Sequence, residues 1–218
     1  MHNKASLLRG FALAALVTAP AGAHAAFTVF TTEASFLAAV TAPGVDTFAG
    51  FPTTTFTASP ITRSAGPYPY SASSTTSFFG VGTPANPALS TNTDTDVITF
   101  FNLGAANAIG GFFFGSDIEN NFVTATMVLT ATDSLGAVLT QTIVTSPTSF
   151  VGFLSNGTIA SLVVGTAMPG EFIFPTVDNL TIALAAVTPV PEPESWSLLV
   201  AGLAALSFCA RRKRGQRS

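Results

Sequence analysis

Hydrophobic and polar positions alternate most regularly between Phe122 and Thr132, where Val123, Ala125, Met127, Leu129 and Ala131 are separated by Thr124, Thr126, Val128 and Thr130. A repeat of two with one apolar row predicts a half-buried β-strand. Asp133-Ser134-Leu135-Gly136 is turn chemistry, and AVLTQTIVT then resumes a strand pattern, so the two segments predict an antiparallel hairpin. Further strands are predicted at 97–103, 108–115, 149–154, 158–164 and 177–185. Asn156-Gly157 predicts a tight hairpin between the runs at 149–154 and 158–164, because both residue types tolerate positive φ. One segment, TTEASFLAAV, has a helical signature: Thr32 as N-cap, Glu33 in the first turn, and a stop before Pro43-Gly44. The predicted helix runs from Glu33 to Val40.

The stretch 52–94 contains Pro52, Pro60, Pro67, Pro69, Pro84 and Pro87, which predicts edge strands and long loops there. No internal repeat is visible. Many short strands with turn signals and little helix predict a mainly β fold, an antiparallel β-sandwich of jelly-roll type with one short N-terminal helix.

The two ends follow other rules. Lys4 and Arg9 precede an apolar run from Phe11 to Val17 and the triplet Ala23-His24-Ala25, the layout of a secretory signal cleaved after Ala25. Trp196 to Ala210 is apolar or small throughout its 15 residues. At about 1.5 Å per residue it reaches about 22 Å, short of a hydrocarbon core of about 30 Å. Trp196 suits one interface, and Arg211, Arg212, Lys213 and Arg214 can snorkel to the other and hold that end in the cytoplasm. The expected division is therefore a signal peptide (1–25), a β-sandwich ectodomain (26–186) and a C-terminal segment (187–218) with a membrane helix at 196–210. A permanent single-span anchor is an open alternative for that segment.

With both ends set aside, the charge balance changes. The 218-residue chain carries a net −3, but between Ala26 and Pro189 nine acids face one base, Arg63, leaving −8. Phosphate binding needs clustered Lys and Arg, so a nucleic-acid partner is excluded. The single cysteine, Cys209, lies in the terminal apolar run, and the two histidines, His2 and His24, in the signal segment. Disulfides, His-based triads and His-ligated or Cys-ligated zinc are thereby excluded from the domain in their usual forms.

Carboxylates remain. Asp94 with Asp96, and Asp117 with Glu119, are the close pairs that a carboxylate-dependent secreted glycoside hydrolase would draw on, with two carboxyls about 5 to 10 Å apart across a cleft. Their Asn- and Thr-rich surroundings favour polar loop ends, and no enzymatic activity is expected. Asp178 is expected at the end of the buried row Leu180, Ile182 and Leu184. Its partner is either backbone N–H groups or a structural calcium ion shared with Asp46 or Glu33. Tyr68 and Tyr70 in GPYPY are the only amphipathic aromatics of the domain, hence the candidate sugar contacts of a carbohydrate-binding module. A proline-stiffened surface loop is the alternative.

Pro191-Glu192-Pro193, then Ser195-Trp196-Ser197, LLVAGLAALSFCA and ARRKR resemble the PEP-CTERM sorting signal of bacterial envelope proteins. The resemblance implies an exosortase substrate, exported through the Sec translocon, held in the inner membrane as a precursor, and cut near the triplet for delivery to the cell surface, extracellular matrix or biofilm. FTVFTTEASFLAAVTAPGVDTFAGF, GFFFGSDIENN, TATDSLGAVL, FVGFLSNGTIASLVV and PTVDNLTIAL resemble the ectodomains common in that family. This second likeness implies a strand, short helix, strand opening and a jelly roll of structural or adhesive type, with extracellular polysaccharide as the partner.

Overall fold

A computed structural model describes residues 27–186. The expected signal peptide with Ala23 and Ala25, the triplet Pro191, Glu192 and Pro193, and the expected span with Trp196, Arg211, Arg212, Lys213 and Arg214 lie outside the described residues.

The elements in chain order are β1 (Phe27–Phe30), α1 (Glu33–Ala39), β2 (Val40–Asp46), β3 (Thr57–Ala58), β4 (Ile61–Ala65), β5 (Tyr68–Ser73), β6 (Ser77–Thr83) and β7 (Asn86–Thr91). They continue with β8 (Ile98–Phe101), β9 (Ala108–Ser116), β10 (Phe122–Val123), β11 (Ala125–Asp133), β12 (Val138–Thr145), β13 (Phe150–Ser155), β14 (Ile159–Thr166) and β15 (Phe174–Ala185). The fold is mainly β, with two antiparallel sheets and one short helix. The larger sheet has nine strands in the order β1-β13-β9-β15-β7-β6-β3, with β10 added to β9 and β2 to β15; the smaller runs β12-β11-β14-β8-β5-β4.

Alternation makes the core. Met127, Leu129 and Ala131 of β11 and Phe100 of β8 bury the inner row of the smaller sheet. They join Leu89, Ile109, Phe113, Val177 and Ile182 of the larger sheet in one buried cluster. Each fully buried Phe or Leu contributes about 1.5–3 kcal/mol. A second cluster lies on the opposite face of the larger sheet, where Phe36 of α1 packs with Val40, Ala108, Phe150 and Ala183. The helix begins where its cap predicts, with the Ser35 N–H donating to Thr32 Oγ1 at 3.3 Å. It ends one residue earlier than expected, at Ala39, because Val40 already belongs to β2.

The β11–β12 hairpin forms in register from Ala125↔Thr145 to Thr132↔Val138. Asn156-Gly157, however, is no hairpin: β13 pairs with β1 and β9 in the larger sheet, whereas β14 pairs with β11 and β8 in the smaller. Neither residue has positive φ. The turn crosses between the layers, and Ser155 Oγ accepts the Gly157 N–H at 3.0 Å to hold the corner.

The proline-rich stretch is more ordered than its composition predicts, with five strands between Thr57 and Thr91. β7 is flanked by β6 and β15 and buried from Pro87 to Thr91. Its prolines fit because Pro67 and Pro84 occupy turns and Pro87 lies near a strand start, positions that need no ladder N–H.

β15 also departs from simple alternation. A register shift lies between Asp178 and Thr181, and Asn179 sits at φ 48°, so Val177 and Leu180 both face the core. Asp178 is thereby turned to the other face, paired with Phe112, and does not share the row of Leu180 and Ile182 as expected.

Candidate functional site

Asp46, at the end of β2, is the carboxylate held by a cation. Arg63 of β4 grips it with two parallel bonds, Nε to Oδ2 at 2.7 Å and Nη2 to Oδ1 at 2.8 Å. The Tyr70 hydroxyl of β5 donates to Oδ2 at 2.8 Å, and the Phe48 N–H to Oδ1 at 2.8 Å. Arg63 also lies over the rings of Phe48 and Phe51, at 5.5 and 5.9 Å from their centroids. Burial pushes the Asp46 carboxyl up, but the bonds from Arg63, Tyr70 and Phe48 outweigh it and hold the group below the usual carboxylate range. Burial, with the Asp46 charge beside it, pushes the Tyr70 phenol well above its ordinary value. Since β2 belongs to the larger sheet and β4 and β5 to the smaller, this triad ties the two layers together.

The triad accounts for Tyr70, and a separate bond for Tyr68. Tyr70 is 1% exposed, with its ring against Phe100, so it offers no sugar platform. Tyr68 is half-buried and donates its hydroxyl to the Ala42 carbonyl at 2.9 Å, pinning the β4–β5 turn to β2. The expected calcium set is likewise not assembled. Asp46 is neutralised by Arg63, Glu33 lines a separate cavity with Thr31, Thr32 and Phe112, and Asp178 faces Phe112. Burial raises the Asp178 carboxyl, and its recorded bond is from the Asn179 N–H at 2.8 Å. Among the described residues no group of three His, Cys, Asp or Glu could hold a metal ion.

Three of the paired acids, Asp94, Asp96 and Asp117, brace turns or loops. Asp96 accepts the N–H groups of Thr75 and Thr76, each at 2.8 Å, and Asp94 accepts that of Phe172 at 2.7 Å. Asp117 accepts those of Glu119 and Asn121 at 3.0 and 2.8 Å. Burial raises the Asp96 carboxyl, but the bonds from Thr75 and Thr76 leave it below its usual value; the Asn121 side chain lowers that of Asp117. Each is an Asx-type or loop brace of the kind Asp favours.

A different place in the larger sheet forms a concavity. Phe79↔Ser90, Ser90↔Thr176 and Phe174↔Ser116 are cross-strand pairs on the face turned from the main core. Of these, Phe79, Ser90, Ser116 and Phe174 line a cavity of about 280 Å³, with Phe56, Ile118, Asp117 and Asn120 among its walls. The rings of Phe56 and Phe79 stand 5.4 Å apart at 51°, and Phe56 is 63% exposed. Beneath them the hydroxyls of Ser90, Ser116 and Thr176 bond to one another at 2.8–3.3 Å. Aromatic walls over hydroxyls and amides, with the Asp117 carboxylate at one side, make an amphipathic surface. The sequence pattern concealed it because Phe is ordinarily core. The one signal was Phe56, the only large apolar residue in TTTFTAS.

Residues 189–214 match the family model described as the PEP-CTERM protein-sorting motif. The class that the two sheets and this motif define is an exported β protein carrying a C-terminal sorting signal. That motif covers the triplet, apolar run and basic cluster on which the resemblance rests, so the chain carries a PEP-CTERM sorting motif over residues 189–214. No curated protein and no solved structure matches it. Among the described residues no helix is long and apolar enough to cross a membrane, and the expected span at 196–210 lies outside them.

Proposed function

We propose that this chain is an exosortase-processed precursor that delivers a non-enzymatic β-sandwich of jelly-roll type, residues 26–186, to the cell surface or extracellular matrix. The observation that carries the reading is the sorting-motif match at 189–214. Pro191 and Pro193 keep this strip out of helix. It is then an extended substrate held by the membrane span next to it. Trp196 and the cluster Arg211 to Arg214 fix the depth of that span. Replacing Pro191, Glu192 and Pro193 by alanine is expected to leave the chain in the membrane fraction of a host with an exosortase, while the native chain is released. Equal release of both would refute the role of the triplet.

A second reading, a carbohydrate-binding module, is favoured by the Phe56–Phe79 cavity instead of by Tyr68 and Tyr70. Uncharged saccharides suit aromatic walls with hydroxyl and amide partners. Titration with a panel of neutral oligosaccharides is expected to give a binder that Phe56→Ala weakens at least about tenfold, or about 1.4 kcal/mol. Binding unchanged by Phe56→Ala would remove the cavity from consideration.

A further inference from the structure

β12 is an edge strand: among the described residues it pairs only with β11. Natural edges are usually blunted by a charge, a proline, a bulge or shortness. β12 has none of these, being eight residues, VLTQTIVT, in continuous register with β11. Its backbone faces can be assigned. The Asp133 N–H donates to the Ala137 carbonyl at 3.0 Å and closes the hairpin, and bonded pairs alternate along an antiparallel ladder. The N–H and C=O groups of Val138, Thr140, Thr142 and Val144 therefore point away from β11, towards an empty edge.

The order of side chains along this edge is the same in both directions. Read outward from Gln141, Thr140 matches Thr142, Leu139 matches Ile143, and Val138 matches Val144. A two-fold interface requires self-complementarity of this kind, since each residue meets the image of its counterpart. We infer that β12 is a self-association edge, at which a second copy of this chain adds its own β12 antiparallel about a two-fold axis at Gln141. That register sets Thr140 against the partner's Thr142 and Val138 against the partner's Val144, uses all four outward pairs of backbone groups, and merges the six-stranded sheets of two copies into one.

Charge favours this contact over other approaches. Copies whose domains each carry −8 between Ala26 and Pro189 repel one another, and β12 is a stretch free of ionised side chains. The outer face beside it is also uncharged, with Thr126, Val128, Thr130 and Thr132 of β11 and Ser161 and Val163 of β14. Asp133 is buried in the hairpin turn, and Glu33 shares a cavity with Ile143 and Val144 at the far end. The inference is independent of how the chain is exported or cut.

The test uses the full chain in a non-ionic detergent, in a Cys209→Ser background. Sedimentation is expected to show a dimer whose association Thr142→Lys weakens at least about tenfold with unchanged Tm, since Thr142 is exposed and two added cations meet neutral partners across the edge. Gln141 would face the partner's Gln141 as a non-bonded pair, with Cα atoms about 4.5 Å apart, within disulfide range. Gln141→Cys is therefore expected to oxidise to a covalent dimer, and Leu135→Cys in the exposed turn to remain monomeric. A monomer that Gln141→Cys fails to cross-link would overturn the inference. So would a dimer that is indifferent to Thr142→Lys, which would place the contact elsewhere, or equal cross-linking at both cysteines.

Discussion

Arg63 is the only cation between Ala26 and Pro189, and both its bonding nitrogens are committed to Asp46. Removing one member of such a pair leaves a 5% exposed carboxylate with a Tyr70 hydroxyl and one N–H in place of a bidentate cation. Arg63→Ala is expected to cost about 3 kcal/mol in denaturant unfolding; a cost below about 1 kcal/mol would show the triad to be marginal. The pH dependence has a definite sign. The folded Asp46 carboxyl titrates below its unfolded value of about 3.9, so its stabilisation is fully present above that pH. It is lost as pH falls through the folded value. Wild-type Tm is therefore expected to fall more steeply than that of Asp46→Asn below about pH 4, and parallel curves would contradict the assignment.

At the scale of elements, the most telling contact is between β2 and the β4–β5 turn. A Cβ on Gly44 would lie 2.1 Å from the Ala65 carbonyl oxygen, and one on Gly66, at φ +55°, would lie 2.9 Å from the Gly44 Cα. Backbone cannot yield there as a side-chain tip can, so Gly44→Ala is expected to destabilise by about 2–3 kcal/mol, read as a lower denaturant midpoint. Gly136→Ala in the open β11–β12 turn, where nothing lies within 4 Å, is strained only by its φ of +84° and serves as the control. Elements of this kind were legible where a signal was local. The alternation of Val123 to Ala131, the Thr32 cap and the Asp133-Ser134-Leu135-Gly136 turn each specify their geometry from neighbouring residues. Asn156-Gly157 misled because a dipeptide that suits a tight turn does not say which sheet receives the next strand. The layer is chosen by the partners of β13 and β14, dozens of positions away in β9 and β8. The Asp178 bulge was illegible for a related reason: one extra residue at Asn179 reverses the faces, and alternation alone cannot show it. Likewise Tyr70 and Asp46 became one cluster only when two sheets closed on them.

The whole molecule joins a domain of two sheets, in which Asp94, Asp96, Asp117 and Asp133 brace turns or loops and Asp46 enters an inter-sheet triad, to a sorting motif at 189–214. The domain is acidic and cysteine-free, and its two sheets close on one buried core. In the proposed reading the proline strip, the short apolar run and the arginines serve as the address, and the inferred β12 edge would join copies into a continuous sheet. The central claim, that an exosortase separates the domain from its membrane segment, has one direct measurement: the intact mass of the chain recovered outside a host that carries an exosortase. The account predicts a product that begins after Ala25 and ends near Pro191-Glu192-Pro193. An extracellular product that retains residues beyond Trp196 would contradict it.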